Sequence, residues 1–323
     1  MNKRIDYIDI AKGIAIILVV CSHTYAGPII FPFSAFSIPL FFFCSGLTCS
    51  IRDNMFISFK RKAIKLLKPY IFFNIILFLC AQRWSFREIF GVFYSRYCLY
   101  PIEVIDNPRL LTVGNFPLWF LTCMTISYLL FYIIIYNKKY QYYIVALYLL
   151  LTALFDNLPI LLPWSIDTAF LMAVYMYVGF RLKEIPNIFC TFKPHPIVIM
   201  AFVFYILVLP YCNDIDISKR YYDPSYFIYI IAGLSGSISA LYISYLLSHT
   251  IFKVPLQQIG IHSLTIFCIE MPFIYFVESI TSDSKLTPFP YLVGITATLL
   301  AIIGGYIISM IIHRYQFLKK TIL

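Results

Sequence analysis

Charge is scarce in this chain. Asp, Glu, Lys and Arg make up 12% of its 323 residues, where a soluble domain carries about 25%. A water-soluble globule of this length could not be covered with so few charges. Metal-ligand spacing is absent as well: the cysteines at 21, 44, 49, 80, 98, 123, 190, 212 and 268 form no C-x-x-C pair and no His/Cys cluster of zinc type. No structural metal is expected, and the thiols read as small apolar packing residues. No internal repeat and no stretch of soluble-domain composition breaks the sequence.

What the chain has in quantity is hydrocarbon. It is 61% hydrophobic and 19% aromatic, with 27 Tyr and 31 Phe, and its mean hydropathy is +0.83. Such a chain is a polytopic membrane protein, with some of the Tyr in interface belts. Apolar runs of spanning length fall at 7–26, 31–50, 66–82, 115–136, 141–162, 164–181, 196–212, 225–248, 257–279 and 289–312. The fold expected is all-α, one integral membrane domain over 1–323 with about ten transmembrane helices. Lys3 and Arg4 before an apolar region imitate a signal peptide, but Asp6, Asp9 and Lys12 break that pattern. The segment is therefore kept as the first span.

The net charge of +10 does not point to nucleic acid, because the excess basic residues lie in short loops beside spans. With the N-terminus inside, the inside segments hold more than twice as many Lys and Arg as the outside ones. The positive-inside rule then places both termini in the cytoplasm. The longest non-membrane stretch, 83–114, with Arg83, Arg87, Glu88, Arg96, Glu103, Asp106 and Arg109, falls outside.

Within the first span, RIDYIDIAKGIAIILVVCSHTY from Arg4 to Tyr25, the ionisable Asp9, Lys12 and His23 stand out. Such groups normally face a bundle interior or a polar cavity. Lys12 and His23 are eleven residues apart, about 16.5 Å of helical rise and nearly the same helix face. His23 has two readings: a hydrogen-bonded core histidine, or a general base that takes the proton of a sugar hydroxyl. Ser22 and Ser45 are candidate partners for it. Asp9 either orients Lys12 by i to i+3 pairing or lies at the interface.

Farther along, the run KRKAIKLLK from Lys60 to Lys68 reads as a topology anchor or as a phosphate site built on charge-assisted donors. Trp119 and Phe120 read as packing or as a cavity wall. Asp167, after Pro163-Trp164-Ser165, reads as an outer helix cap or as a substrate contact. Ser45-Gly46 reads as a close helix-packing site.

The order IDIAKGIAIILVVCSH at 8–23, PLFFFCSGL at 39–47, KLLKPY at 65–70 and PLWFL at 117–121 resembles the acyltransferase-3 family of integral membrane acyltransferases. LPWSIDTAF at 162–170, Gly179 before Arg181, and IGIHSLTIF at 259–267 resemble its fucose 4-O-acetylase-like branch. The resemblance covers nearly the whole chain. It implies that the family's pattern of a basic residue, ten intervening residues and a histidine falls on Lys12 and His23, with Lys where Arg is usual; charge is kept and the bidentate fork is lost. The basic motif falls on Arg61, Lys65 and Lys68, and the tryptophan motif on Trp119. In the ninth span, similar proteins carry a His where this chain has Glu270-Met271-Pro272, so Glu270 would serve there as an acid or a hydrogen-bond acceptor.

Together these readings imply an O-acetyltransferase. Acetyl-CoA is its donor, bound through Lys12, Arg61, Lys65 and Lys68, and no metal is involved. His23 is the catalytic base, and Trp119, Asp167 and Glu270 contact substrate. The acceptor is a hydroxyl of a cell-surface or secreted carbohydrate such as O-antigen, capsule or exopolysaccharide. The expected partners are membrane lipid and that carbohydrate, not nucleic acid, and a homo-oligomer is compatible with such a chain. A multi-pass place in the bacterial inner membrane follows from the resemblance. Two alternatives stand beside it: the same fold moving succinyl or another short acyl group, and a polysaccharide or lipid-linked glycan exporter without acyl chemistry.

Overall fold

A computed structural model describes residues 5–51, 53–81, 86–101, 116–212, 215–222, 225–281 and 289–322. Of the described residues, 80% are helical. Its helices are α1 (Asp6–Ser22), α2 (Gly27–Leu47), α3 (Met55–Ala81), α4 (Phe86–Tyr94), α5 (Trp119–Tyr136), α6 (Gln141–Asp156), α7 (Ile166–Leu182), α8 (Pro196–Val208), α9 (Tyr226–Leu247), α10 (Lys253–Ile261), α11 (Ser263–Thr281), α12 (Pro290–Arg314) and α13 (Gln316–Ile322). The strands among the described residues, β1 (Ile215–Asp216) and β2 (Tyr221–Tyr222), pair in one short hairpin. This is an all-α membrane protein. Helices α2, α5, α9, α11 and α12 are long and apolar enough to cross a bilayer. Each of the ten apolar runs has a helix in it.

The departures from the sequence reading have local causes. Helix α3 begins at Met55 rather than near 66, because the basic run Lys60 to Lys68 is made of good helix formers and simply continues the apolar helix. The run 257–279 is divided: α10 ends on His262, and α11 starts at Ser263. The stretch 83–114 contains the nine-residue helix α4, while Arg83, Glu103, Asp106 and Arg109 lie outside the described residues.

The chain divides into two compact units. The first comprises residues 1–44, 181–215 and 223–311. In it, α1 packs against α9, α10 and α11, and α8 packs against α9. Helices α1 and α10 meet at two glycines: a Cβ on Gly13 would strike the Leu256 carbonyl oxygen, and one on Gly260 would strike that of Asp9. At the start of this contact Asp6 accepts from Gln257 Nε2 (2.9 Å) and pairs with Lys253 Nζ at 2.7 Å. Helix α8 leaves Ile199, Met200, Val203, Phe204 and Leu207 exposed. Contiguous apolar surface of that kind marks contact with another apolar phase, here lipid.

The second unit comprises residues 45–180, 216–222 and 312–323. Helix α3 packs against α5. A Cβ on Gly46 would meet the Met176 carbonyl oxygen, so Ser45-Gly46 is a close helix-packing site, as read from the sequence. A cleft of about 530 Å³ opens between α3 and α4. Tyr70 Oη, Asn74 Nδ2 and Trp164 Nε1 on its wall donate to main-chain carbonyls, of Val92, Tyr70 and Phe93 respectively. The cleft therefore presents hydrocarbon and contains none of the predicted site residues.

Candidate active site

Helix α1 starts with acids in its first turn, Asp6 and Asp9, where the helix dipole favours negative charge. Its apolar run then continues to Ser22, and His23 is its C-cap (φ −88°, ψ 3°). His23 is thus just past the last helical residue rather than within the helix, and its backbone N–H donates to the Val20 carbonyl (3.2 Å). The imidazole Nδ1 lies 2.8 Å from Oε1 of Glu270 on α11. Glu270 is fully buried, and the His23 side chain keeps 19% exposure. A carboxylate at that position accepts from the Nδ1–H tautomer, in which Nε2 is the unprotonated, basic nitrogen. Ser22 hydroxyl donates instead to the Val19 carbonyl (2.7 Å).

One face of α1 also carries Lys12, whose Nζ is 3.6 Å from Oδ1 of Asp9. This is the i to i+3 pairing considered from the sequence. Asp9 is buried, at 8% exposure.

In the second unit, α3 sorts its basic run by helical phase. Arg61, Lys65 and Lys68 recur at i, i+4 and i+7, and so share a stripe. Arg61 and Lys65 are exposed and Lys68 is half-buried. Arg61 pairs with Asp53 at 2.7 Å, and Lys68 donates to the Lys320 carbonyl of α13 (2.9 Å). Lys62 belongs to a different face, in phase with the buried Leu66 and Tyr70. Its ammonium sits 4.9 Å from the centroid of the Tyr128 ring, a cation–π arrangement. Tyr128 pushes the Lys62 pKa up from the ordinary lysine value, with burial opposing. The sequence reading had not singled Lys62 out; its i+4 and i+8 apolar companions were the available signal.

Trp119 opens α5, buried at 7% exposure and edge-on to Phe120 with centroids 6.4 Å apart. Asp167 is the centre of a buried ionic cluster. Arg96 gives Nη2 to Asp167 Oδ1, Nε to the Leu162 carbonyl (2.9 Å) and Nη1 to the Ser218 carbonyl (2.7 Å). Arg220 Nε lies 3.4 Å from Asp167 Oδ2, and its Nη2 donates to the Leu158 and Ile160 carbonyls (2.6 and 3.2 Å). Burial lowers the Arg220 pKa from the usual arginine range, and Asp167 opposes that shift. Asp167 also accepts from the backbone N–H groups of Leu162 and Thr168 (3.1 and 3.0 Å). Asp167 is the second residue of α7 rather than its N-cap, and its carboxylate is held by two buried guanidinium partners as well as by these N–H groups. Arg96 had been read only as a charge of the 83–114 stretch.

The predicted residues thus form three groups. Lys12, His23 and Glu270 belong to the first unit, with His23 and Glu270 in direct contact. Arg61, Lys65 and Lys68 form one stripe of α3, and Trp119 and Asp167 are buried in the second unit. Among the described residues, no three His, Cys, Asp or Glu side chains gather as a metal site would require.

The acyltransferase-3 family, described as an acyltransferase domain, matches residues 5–314. The chain belongs to the acyltransferase-3 family. No curated protein and no solved structure matches it. As a family member the protein is a multi-pass membrane acyltransferase, which favours acyl chemistry over the glycan exporter.

Proposed function

We propose that the protein is an O-acetyltransferase that moves an acetyl group from cytoplasmic acetyl-CoA to a hydroxyl of a cell-surface or secreted carbohydrate. The observation that carries this reading is the His23–Glu270 contact at 2.8 Å, placed at the far end of α1 from Lys12. Glu270 holds the imidazole in the Nδ1–H tautomer, as carboxylates do for catalytic histidines. His23 Nε2 takes the proton of the acceptor hydroxyl as its oxygen attacks the thioester carbonyl. The carbon–sulfur bond breaks, and the departing thiolate recovers that proton from the imidazolium. General-base assistance of this type contributes ~10²–10⁴-fold.

Glu270 touches the base in this scheme, so its role is that of a positioning residue in place of the substrate contact first expected. The coenzyme's phosphates are assigned to Arg61, Lys65 and Lys68, because their stripe of α3 carries the densest positive charge in the chain. Trp119 and Asp167 act through packing and charge balance in the second unit. The distribution of basic residues supports cytoplasmic termini, and a bacterial inner membrane fits a surface-glycan acceptor.

Mass spectrometry of the surface glycan from cells with and without the gene tests the reading. One acetyl mass lost on deletion supports it. A succinyl mass would keep the chemistry and change the donor. An unchanged glycan mass would overturn it.

A further inference from the structure

Four residues, His23 to Ala26, join α1 to α2, so the imidazole is carried on a short turn rather than on a helix. Glu270 holds its ring, but a connecting turn is where a fold opens most easily, and its main chain needs fixing too. Two features supply this. Thr24, 8% exposed, closes the turn from inside. Its hydroxyl donates to the Cys21 carbonyl (2.9 Å) and accepts from the Ala26 N–H (3.2 Å), so these bonds bracket His23 on both sides.

The second feature is α12. A Cβ on Gly294 would lie 2.2 Å from the Ala26 main-chain nitrogen and 2.9 Å from the Tyr25 carbonyl carbon, so the helix reaches the turn only because position 294 is bare. Ordinary contact begins at 3.4 Å, and a methyl group at 294 would drive the turn back by about 1 Å. One helical turn farther on, Thr298 Oγ1 lies 3.4 Å from Thr24 Oγ1. The same helix backs α11. Val293 and Ala297 are buried with Val277, and a Cβ on Gly305 would meet Ile266 Cα at 2.8 Å, one turn before Glu270. Helix α12 thus abuts both the turn that bears His23 and the helix that bears Glu270.

We infer that Thr24 and Gly294 are positioning residues for acetyl transfer, fixing the main chain that carries His23 and setting it in one frame with Glu270. Neither touches the reacting groups. This rests on the proposed role of His23 as the base. A misplacement of about 1 Å in a reacting group can cost ~10²-fold in rate, while the coenzyme is held by other residues. The effect therefore belongs in kcat rather than in the KM for acetyl-CoA.

The test supplies labelled acetyl-CoA to membrane vesicles of deletion cells carrying each full-length variant. Incorporation into the vesicles' own glycan gives kcat and KM at matched protein levels. Gly294→Ala should lower kcat on the order of 10²-fold, with KM near wild type. Thr24→Val keeps the shape without the hydroxyl and should lower kcat by roughly 10-fold; Thr24→Ser should restore it. Gly236→Ala in α9 is the control for crowding alone, since its Cβ would meet the Phe36 and Tyr205 side chains within 2.8 Å. It should lower the unfolding temperature and keep kcat. The inference is overturned if Gly294→Ala or Thr24→Val turns over like wild type, or if the loss appears in KM. It is also overturned if Thr24→Ser is as slow as Thr24→Val, or if Gly236→Ala loses kcat as heavily. Should Gly294→Ala fail to fold, the two Thr24 variants carry the comparison. His23→Ala that transfers at the wild-type rate would instead remove the reading of His23 as base, and this inference with it.

Discussion

The imidazole of His23 and the carboxylate of Glu270, 247 positions apart in sequence, meet at 2.8 Å. The contact joins the end of α1 to the middle of α11 inside one compact unit. Glu270 is fully buried, and under the proposed function it fixes the tautomer of the His23 base.

Replacing Glu270 tests that division of labour. Glu270→Gln keeps an oxygen that can accept from Nδ1–H but removes the charge that stabilises the imidazolium. Acetyl transfer should fall by roughly 10- to 100-fold, with donor affinity near wild type. Turnover and acetyl-CoA binding measured on the same preparation check this. A loss confined to acceptor KM would instead make Glu270 a substrate contact.

The donor stripe should behave as a set. Alanine at Arg61, Lys65 and Lys68 together should weaken acetyl-CoA by at least 10- to 100-fold, since hydrogen bonds to charged groups contribute roughly 1.5–3 kcal/mol each. Lys68→Ala alone should also loosen α13, whose Lys320 carbonyl it holds at 2.9 Å. Hydrogen exchange of residues 316–322 reads the second effect. Unchanged acetyl-CoA affinity in the combined variant would leave the run as a topology anchor.

How much of this was legible in the chain differs by feature. The ten apolar runs announced their helices because length and hydrocarbon content suffice for a spanning segment. Helix α4 was not visible, since nine residues between loop charges leave too little pattern. The break at His262 was not read either: Gln257, Gln258, His262 and Ser263 were absorbed into one spanning run, and the contact of the His262 ring with Ser309 Oγ, 2.7 Å away, has no local signature. Lys12 and His23 were readable as costly groups in an apolar segment. The partner of His23 was not, because a contact across 247 residues has no local signature. Likewise Arg96 read as a loop charge, and only tertiary packing buries it, with Arg220, around Asp167.

That buried cluster makes its own prediction. Asp167→Asn leaves Arg96 and Arg220 without their countercharge, and breaking a buried pair in this way costs about 3–5 kcal/mol. Thermal unfolding in detergent should show a large loss of stability. Surviving folded protein should bind acetyl-CoA like wild type. A stable Asp167→Asn protein with lost acceptor use would return Asp167 to substrate binding.

Topology is checked by reporters placed in described turns. One inserted between Lys138 and Lys139 should be cytoplasmic, and one within the Ile217–Lys219 turn of the hairpin extracytoplasmic, as the distribution of basic residues requires. The reverse pattern would exchange the donor and acceptor sides.

The central claim is that His23 is the base for acetyl transfer. The most direct measurement is the acetyl content of surface glycan in deletion cells complemented with wild type, His23→Ala or His23→Gln, at matched protein levels. Wild type should restore the acetyl mass. Both variants should transfer ~10²–10⁴-fold more slowly, since glutamine keeps a hydrogen bond but offers no useful base. Full acetylation by His23→Gln at normal protein level would contradict the account and leave His23 a structural histidine.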